Sequence, residues 1–216
     1  MRRVIPLLFI VIVATSVVAA LAIQRGLFRP SNLRKNPLTS SAPILFVLTT
    51  GGEPGEMNGT RAAWRPLEKQ FSIRVIVPET WDEQSVPTDA QRLKNEYPAA
   101  KIFISGFSNG GYNACEFAMQ NPDLFTGAIP LGAFCDPLSV LDQPRTLRLK
   151  VLTVVGERDT WARGDDLEQI DDADRRLAKY GIVPQLIIVP GLGHEFPTAA
   201  LDRIGRWIEA QQAAQP

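Results

Sequence analysis

A single histidine, His194, is all the imidazole the 216 residues contain, and Cys115 and Cys135 are the only thiols. Two cysteines set far apart make neither a disulfide framework nor a metal-binding cluster. An excess of either charge is also missing: Lys plus Arg equals Asp plus Glu at 23 each. No basic field is present to hold nucleic-acid phosphates, so a nucleic-acid partner is not expected. Repeats and low-complexity tracts are absent as well. What remains, 45% hydrophobic and 21% charged, is the composition of one folded domain with a core large enough to stand alone.

The two thiols keep the option of pairing in an oxidising compartment. Their expected positions weigh against it, because Cys115 falls two turns into a helix and Cys135 at the loop end of the next strand. A bridge requires Cα atoms within roughly 7 Å.

One stretch departs from the soluble pattern. Val4 to Ile23 has no charged residue and follows Arg2 and Arg3. At about 1.5 Å per residue its length covers about 30 Å, enough to cross a bilayer. Ala20-Leu21-Ala22 also has the small-x-small form of a signal-peptidase site. Residues 1–23 therefore read as a cleaved export signal or an uncleaved anchor, and both readings stay open. Arg25, Arg29, Arg34 and Lys35 follow the segment, and such residues tend to stay on the cytoplasmic side. Residues 24–42 are polar, with two prolines and no apolar period, and read as a linker. The folded domain is expected over 43–216.

From Pro43 onward, short apolar runs recur: 44–49, 72–78, 101–105, 126–131, 151–155 and 184–189. Most lack polar alternation, as strands do when helices cover both faces of a parallel sheet. The intervals between most of them leave room for crossover helices. An α/β fold with a mostly parallel sheet of about six strands follows. Leu167, Ile170, Leu177 and Tyr180 share a helical face, as do Leu201, Ile204 and Ile208. In the first of these helices Asp165, Asp166 and Glu168 lie near the start, and Arg175, Arg176 and Lys179 near the end. That polarity suits the helix dipole and reads as a solvated face.

The stretch KIFISGFSNGG, 101–111, carries the first chemical signal. With nine serines and sixteen glycines in the chain, a glycine two places to each side of some serine arises by chance in roughly one such sequence in twenty. The surroundings raise its weight. Ser108 directly follows an apolar strand and precedes YNACEFAMQ, a helical segment, which is the strand-turn-helix setting of a nucleophile elbow. Gly106, Gly110 and Gly111 supply the small neighbours that such a turn needs.

A serine hydroxyl is a poor nucleophile until a base takes its proton. His194 has no competitor for that role, and GLGHEFP sets it in the loop after the last strand, on the same sheet edge as the serine turn. A carboxylate must then orient the imidazole. Asp159, shortly after the fifth strand, completes the chain order Ser, Asp, His. Asp136, in GAFCDP after the fourth strand, is the rival. A tetrahedral oxygen needs amide donors. The Asn109 amide is one, and Gly52, in LTTGGEPG after the first strand, is the expected second. Trp161 and Phe196 stand two residues past Asp159 and His194, where either could line an acyl or aromatic pocket, and core packing is the first expectation for both.

Together GFSNGGY and HEFP resemble motifs of the α/β-hydrolase superfamily, in its branch of small polyhydroxybutyrate-depolymerase and feruloyl-esterase-like serine esterases. The resemblance covers roughly 43–211. It implies a three-layer fold, a serine esterase with Ser108, Asp159 and His194 as nucleophile, acid and base, and no metal or cofactor. Many relatives carry His-Gly after the first strand, where this chain has Thr50-Gly51. About 20 residues separate the fourth and fifth strands, too few for a large cap domain. The expected partner is a small-molecule or polymer-linked ester, with a membrane added if the N-terminal segment stays in place. A serine peptidase of the same fold is the second reading. An inactive, membrane-tethered binding protein is the third.

Overall fold

The computed structural model describes residues 41–137, 147–164 and 167–214. The segment 4–23 and residues 24–40 of the linker lie outside them, as do Asp165 and Asp166. Ala42 is already buried, so packing begins one residue before Pro43. Among the described residues no helix is long and apolar enough to cross a membrane.

Six strands among the described residues form one sheet: β1 Ile44–Leu48, β2 Arg74–Ile76, β3 Ile102–Phe107, β4 Gly127–Leu131, β5 Lys150–Gly156 and β6 Gln185–Val189. All pairings are parallel, in the spatial order β2-β1-β3-β4-β5-β6. Each apolar run became a strand. Their continuous apolar character has the expected cause, since β1 and β4 are buried at every position.

The helices are α1 Glu56–Gln70, α2 Ser85–Glu96, α3 Asn109–Gln120, α4 Thr160–Arg163, α5 Glu168–Ala178 and α6 Leu201–Ala213. Trp64 and Leu67 of α1 join Leu201, Ile204, Trp207 and Ile208 of α6 in a core cluster with Leu45, Val47, Phe103 and Val154. Strand β6 divides by its two-residue period: Ile187 and Val189 enter that cluster, while Leu186 and Ile188 pack with Ile170 of α5. Helices therefore cover both faces, and the architecture is the three-layer α/β-hydrolase fold. The expected face of α5 holds at Ile170 and Leu177, both buried. Leu167 instead caps the helix in a left-handed conformation with φ 64° and is only partly buried.

The thiols depart from expectation. Cys115 and Cys135 form a disulfide with Cα atoms 5.1 Å apart. Two helical turns carry the chain only about 10 Å from the elbow, and the chain leaving β4 bends at Gly132, φ 55°, back onto that stretch of α3. The contact is tight enough that a Cβ on Gly111 would come within 2.9 Å of the Ala133 methyl.

The strand order reverses direction at β1, whose neighbours are β2 and β3. Loops leaving β1 and β3 consequently diverge and leave a crevice at the carboxyl ends of the strands, the usual ligand position in an open parallel sheet.

Candidate active site

Ser108 sits on the carboxyl side of β3, at φ 54° and ψ −122°, a conformation L residues rarely adopt. The turn is held by close backbone approach. A Cβ on Gly106 would lie 2.4 Å from the Gly110 backbone, and one on Gly110 would lie 2.8 Å from the Thr49 carbonyl. Hydrogen bonds complete the frame: the Ser108 amide donates to the Leu131 carbonyl at 2.8 Å, and the Ser108 carbonyl accepts from Gly111 at 2.9 Å. Strain of this sort costs on the order of 1–3 kcal/mol and persists only where packing dictates it.

Asp159 follows β5 and is 1% exposed, and His194 follows β6. The loops that carry them are stitched together. Arg158 donates its amide to the Leu192 carbonyl at 2.8 Å and its guanidinium to the Gly191 carbonyl, while the Gly191 amide donates to the Glu157 carboxylate at 2.7 Å. Gly156 lets them meet, since a Cβ there would fall 2.3 Å from the Leu192 carbonyl oxygen.

The three predicted side chains come together. His194 Nε2 lies 2.8 Å from Ser108 Oγ, and Nδ1 lies 3.0 Å from each oxygen of Asp159. An ionised carboxylate only accepts. Nδ1 therefore carries the proton and donates to Asp159, leaving Nε2 to accept from the serine hydroxyl. Asp159 Oδ1 also accepts from the Ala162 amide at 3.2 Å, which fixes the carboxylate from the other side. The rival, Asp136, is elsewhere engaged: its oxygens accept from Arg176 at 3.0 and 2.8 Å. It serves α5 rather than the imidazole.

The two amides expected to meet a tetrahedral oxygen have different surroundings. The Asn109 amide opens α3, where the first amides of a helix have no intrahelical acceptor. Its side chain donates to the Thr50 carbonyl at 3.1 Å, tying the serine turn to the β1 loop. Gly52 is already engaged. Its amide donates to the Thr49 hydroxyl at 3.1 Å, and the same hydroxyl accepts from the Trp81 indole at 3.1 Å. The neighbouring Gly51 amide donates to Glu56 at 2.8 Å. With no His-Gly turn, the loop satisfies its amides internally.

Several site neighbours escaped sequence reading. The Phe107 ring lies 5.0 Å from the imidazole, tilted 35°. Gly132 leaves room beside it, because a Cβ there would lie 3.2 Å from His194 Cε1 and 3.3 Å from Asp159 Oδ2. A glycine just after β4 was the available signal. Trp161 does not pack in the core: it is 81% exposed, with its ring 6.3 Å from the imidazole. Phe196 does pack inward, edge-on to Trp64 at 5.4 Å. Tyr112 rests against Phe134 at 5.3 Å, and burial, followed by the Asp159 charge, pushes its phenol up.

Among the described residues no group of His, Cys, Asp and Glu is arranged to hold a metal ion. A cavity of about 730 Å³ opens at the opposite edge, where Ile102, Thr126 and Lys150 stand at the strand starts. It is remote from the serine turn.

The sequence model of the dienelactone hydrolase family matches residues 17–215. No curated protein matches the chain. Among solved structures, an S-formylglutathione hydrolase from Agrobacterium tumefaciens is 12% identical, with a TM-score of 0.58 over 80% of this chain and 85% of that one. The esterase LipW from Mycobacterium marinum is 13% identical, with a TM-score of 0.61 over 80% and 74% of the two chains. A ferulic acid esterase is also 13% identical, with a TM-score of 0.55 over 80% and 86%. At such identities the likeness is one of fold.

Proposed function

The chain belongs to the dienelactone hydrolase family of α/β-hydrolases, and on that premise we propose that this hydrolase is a serine esterase working through an acyl-enzyme. The observation that carries the reading is the unbroken path of contacts from Ser108 Oγ through His194 to buried Asp159, at 2.8 and 3.0 Å. The serine proton passes to Nε2 as Oγ attacks the ester carbonyl carbon. Asp159 stabilises the resulting imidazolium and holds its orientation.

The negative oxygen of the tetrahedral species is met by the Asn109 amide. Gly52 becomes the second donor when its amide exchanges the Thr49 hydroxyl for that oxygen. His194 next returns the proton to the leaving alcohol, and the acyl group remains on Ser108. Water, deprotonated by His194, attacks the acyl-enzyme; the carboxylic acid leaves and the serine proton is restored. Ester rather than amide substrates are proposed because the family and the esterase-like fold neighbours favour them.

We also propose an oxidising location, exported or tethered through residues 4–23. The Cys115–Cys135 bridge supports it, since structural disulfides persist outside the reducing cytosol.

Labelling with a fluorophosphonate tests the chemistry. Ser108 is expected to carry the label, and Ser108→Ala and His194→Ala are each expected to abolish turnover of a short p-nitrophenyl ester. Label retained by Ser108→Ala overturns the assignment. Comparable rates on matched amides would make the enzyme a peptidase.

A further inference from the structure

A cleft of about 200 Å³ opens between β1 and α1, directly beside the serine turn. Its walls are chain neighbours of the reacting groups: Phe107 precedes Ser108, and Phe196 lies two residues after His194. Trp64, 1% exposed, closes the deep end. Thr50, also on the lining, directs its hydroxyl to the Phe107 carbonyl at 3.4 Å. No charged side chain lines the space.

The remaining wall is α1, where Gly59 and Ala63, four residues apart, stand one above the other and Thr60 adds one uncharged hydroxyl. Gly59 requires an explanation, because glycine weakens a helix interior relative to alanine. Packing does not demand it. A Cβ there meets no heavy atom within 4 Å, and its φ is not in the left-handed range. What glycine does at this position is leave the cleft open.

We infer that this cleft is the acyl pocket and that Gly59 sets its capacity. The inference rests on the esterase reading and names its substrate class: esters of compact apolar acids. At about 30 Å³ for a water-sized group, the volume takes roughly six or seven non-hydrogen atoms, a butyryl to hexanoyl chain or a single ring. The leaving alcohol must stay within reach of His194 Nε2 and depart to solvent. The open side under exposed Trp161 serves it. The cleft on the β1 side, floored by buried Trp64, is left for the acyl part.

The test is kcat/KM on p-nitrophenyl esters from acetate to laurate, beside a series of acetates with alcohols of rising size. Wild type is expected to peak between butyrate and hexanoate and to fall at least tenfold by decanoate. Gly59→Leu is expected to fold, to move the peak toward acetate, and to lower the hexanoate-to-acetate ratio about tenfold, the scale of one misfitted methylene. Phe196→Ala is expected to raise the decanoate-to-hexanoate ratio; comparing ratios removes any general loss of activity. An unchanged chain-length profile in Gly59→Leu overturns the pocket assignment, as does a shift in the alcohol series instead. Either result leaves the esterase reading standing. Absence of ester turnover together with an unlabelled Ser108 overturns both.

Discussion

His194 Nδ1 stands 3.0 Å from both oxygens of the Asp159 carboxylate, a group only 1% exposed. Replacing Asp159 by Asn keeps the shape but allows the amide to hold the wrong imidazole tautomer. A fall in kcat on the order of 10⁴-fold is expected. Asp136→Asn, which loosens the contact with Arg176, is expected to leave kcat within about twofold and to cost at most about 1 kcal/mol of stability. Steady-state kinetics on the two variants distinguish the carboxylates, and comparable losses in both would contradict the geometry.

Ser108 holds φ 54° without being a glycine. Ser108→Ala removes the hydroxyl but keeps the steric cost, whereas Ser108→Gly removes both. Both variants are expected to be inactive. Thermal or urea unfolding should find Ser108→Gly more stable than Ser108→Ala by about 1 kcal/mol. Equal stabilities would mean that the turn stores no strain.

The Cys115–Cys135 bridge closes a sequence separation of 20 residues. In the chain-entropy account a loop of this size is worth about 3 kcal/mol. The double variant Cys115→Ala, Cys135→Ala is expected to lose roughly that much in urea unfolding under oxidising conditions. Wild type should show no titratable thiol until it is unfolded and reduced. Free thiols in the native protein would count against the bridge.

Helix α2 carries its cap two residues before its N-cap position. Asp82 accepts from the Gln84 and Ser85 amides at 2.8 and 2.7 Å, while its own amide donates to Ser85 Oγ at 2.8 Å. These bonds, the Ser85 amide first and then Gln84, hold the Asp82 carboxyl below its ordinary value. A depressed folded-state value means the stabilisation is present above the unfolded carboxyl pKa and is lost as pH falls through the folded one. Asp82→Ala is expected to cost about 1 kcal/mol at neutral pH. The gap should close in acid, below the ordinary carboxylate range, where wild type has lost the same bonds. Denaturant titrations at neutral and acidic pH check the sign.

Much of this protein is written locally. Each of the six strands is a run of apolar residues whose neighbours along the chain declare it, and Ser108 is marked by glycines within three residues of it. Such signals are legible because backbone period and turn sterics depend on adjacent residues. The order Ser, Asp, His was readable for a different reason: a parallel sheet sends every strand's carboxyl end to one rim.

What the sequence left open was decided by approaches between distant segments. Asp159 and Asp136 each follow a strand, and only the stitched loops after β5 and β6 bring one of them to the imidazole while Arg176 takes the other. Cys115 and Cys135 meet because the chain bends at Gly132 onto α3. Gly52 spends its amide on Thr49, and Trp161 stays in solvent, through the local shape of two loops whose residues also suit other arrangements. Composition and period set which face of an element is apolar. Which of its atoms then touch is a property of close packing among residues far apart in the chain, and only the folded structure determines it.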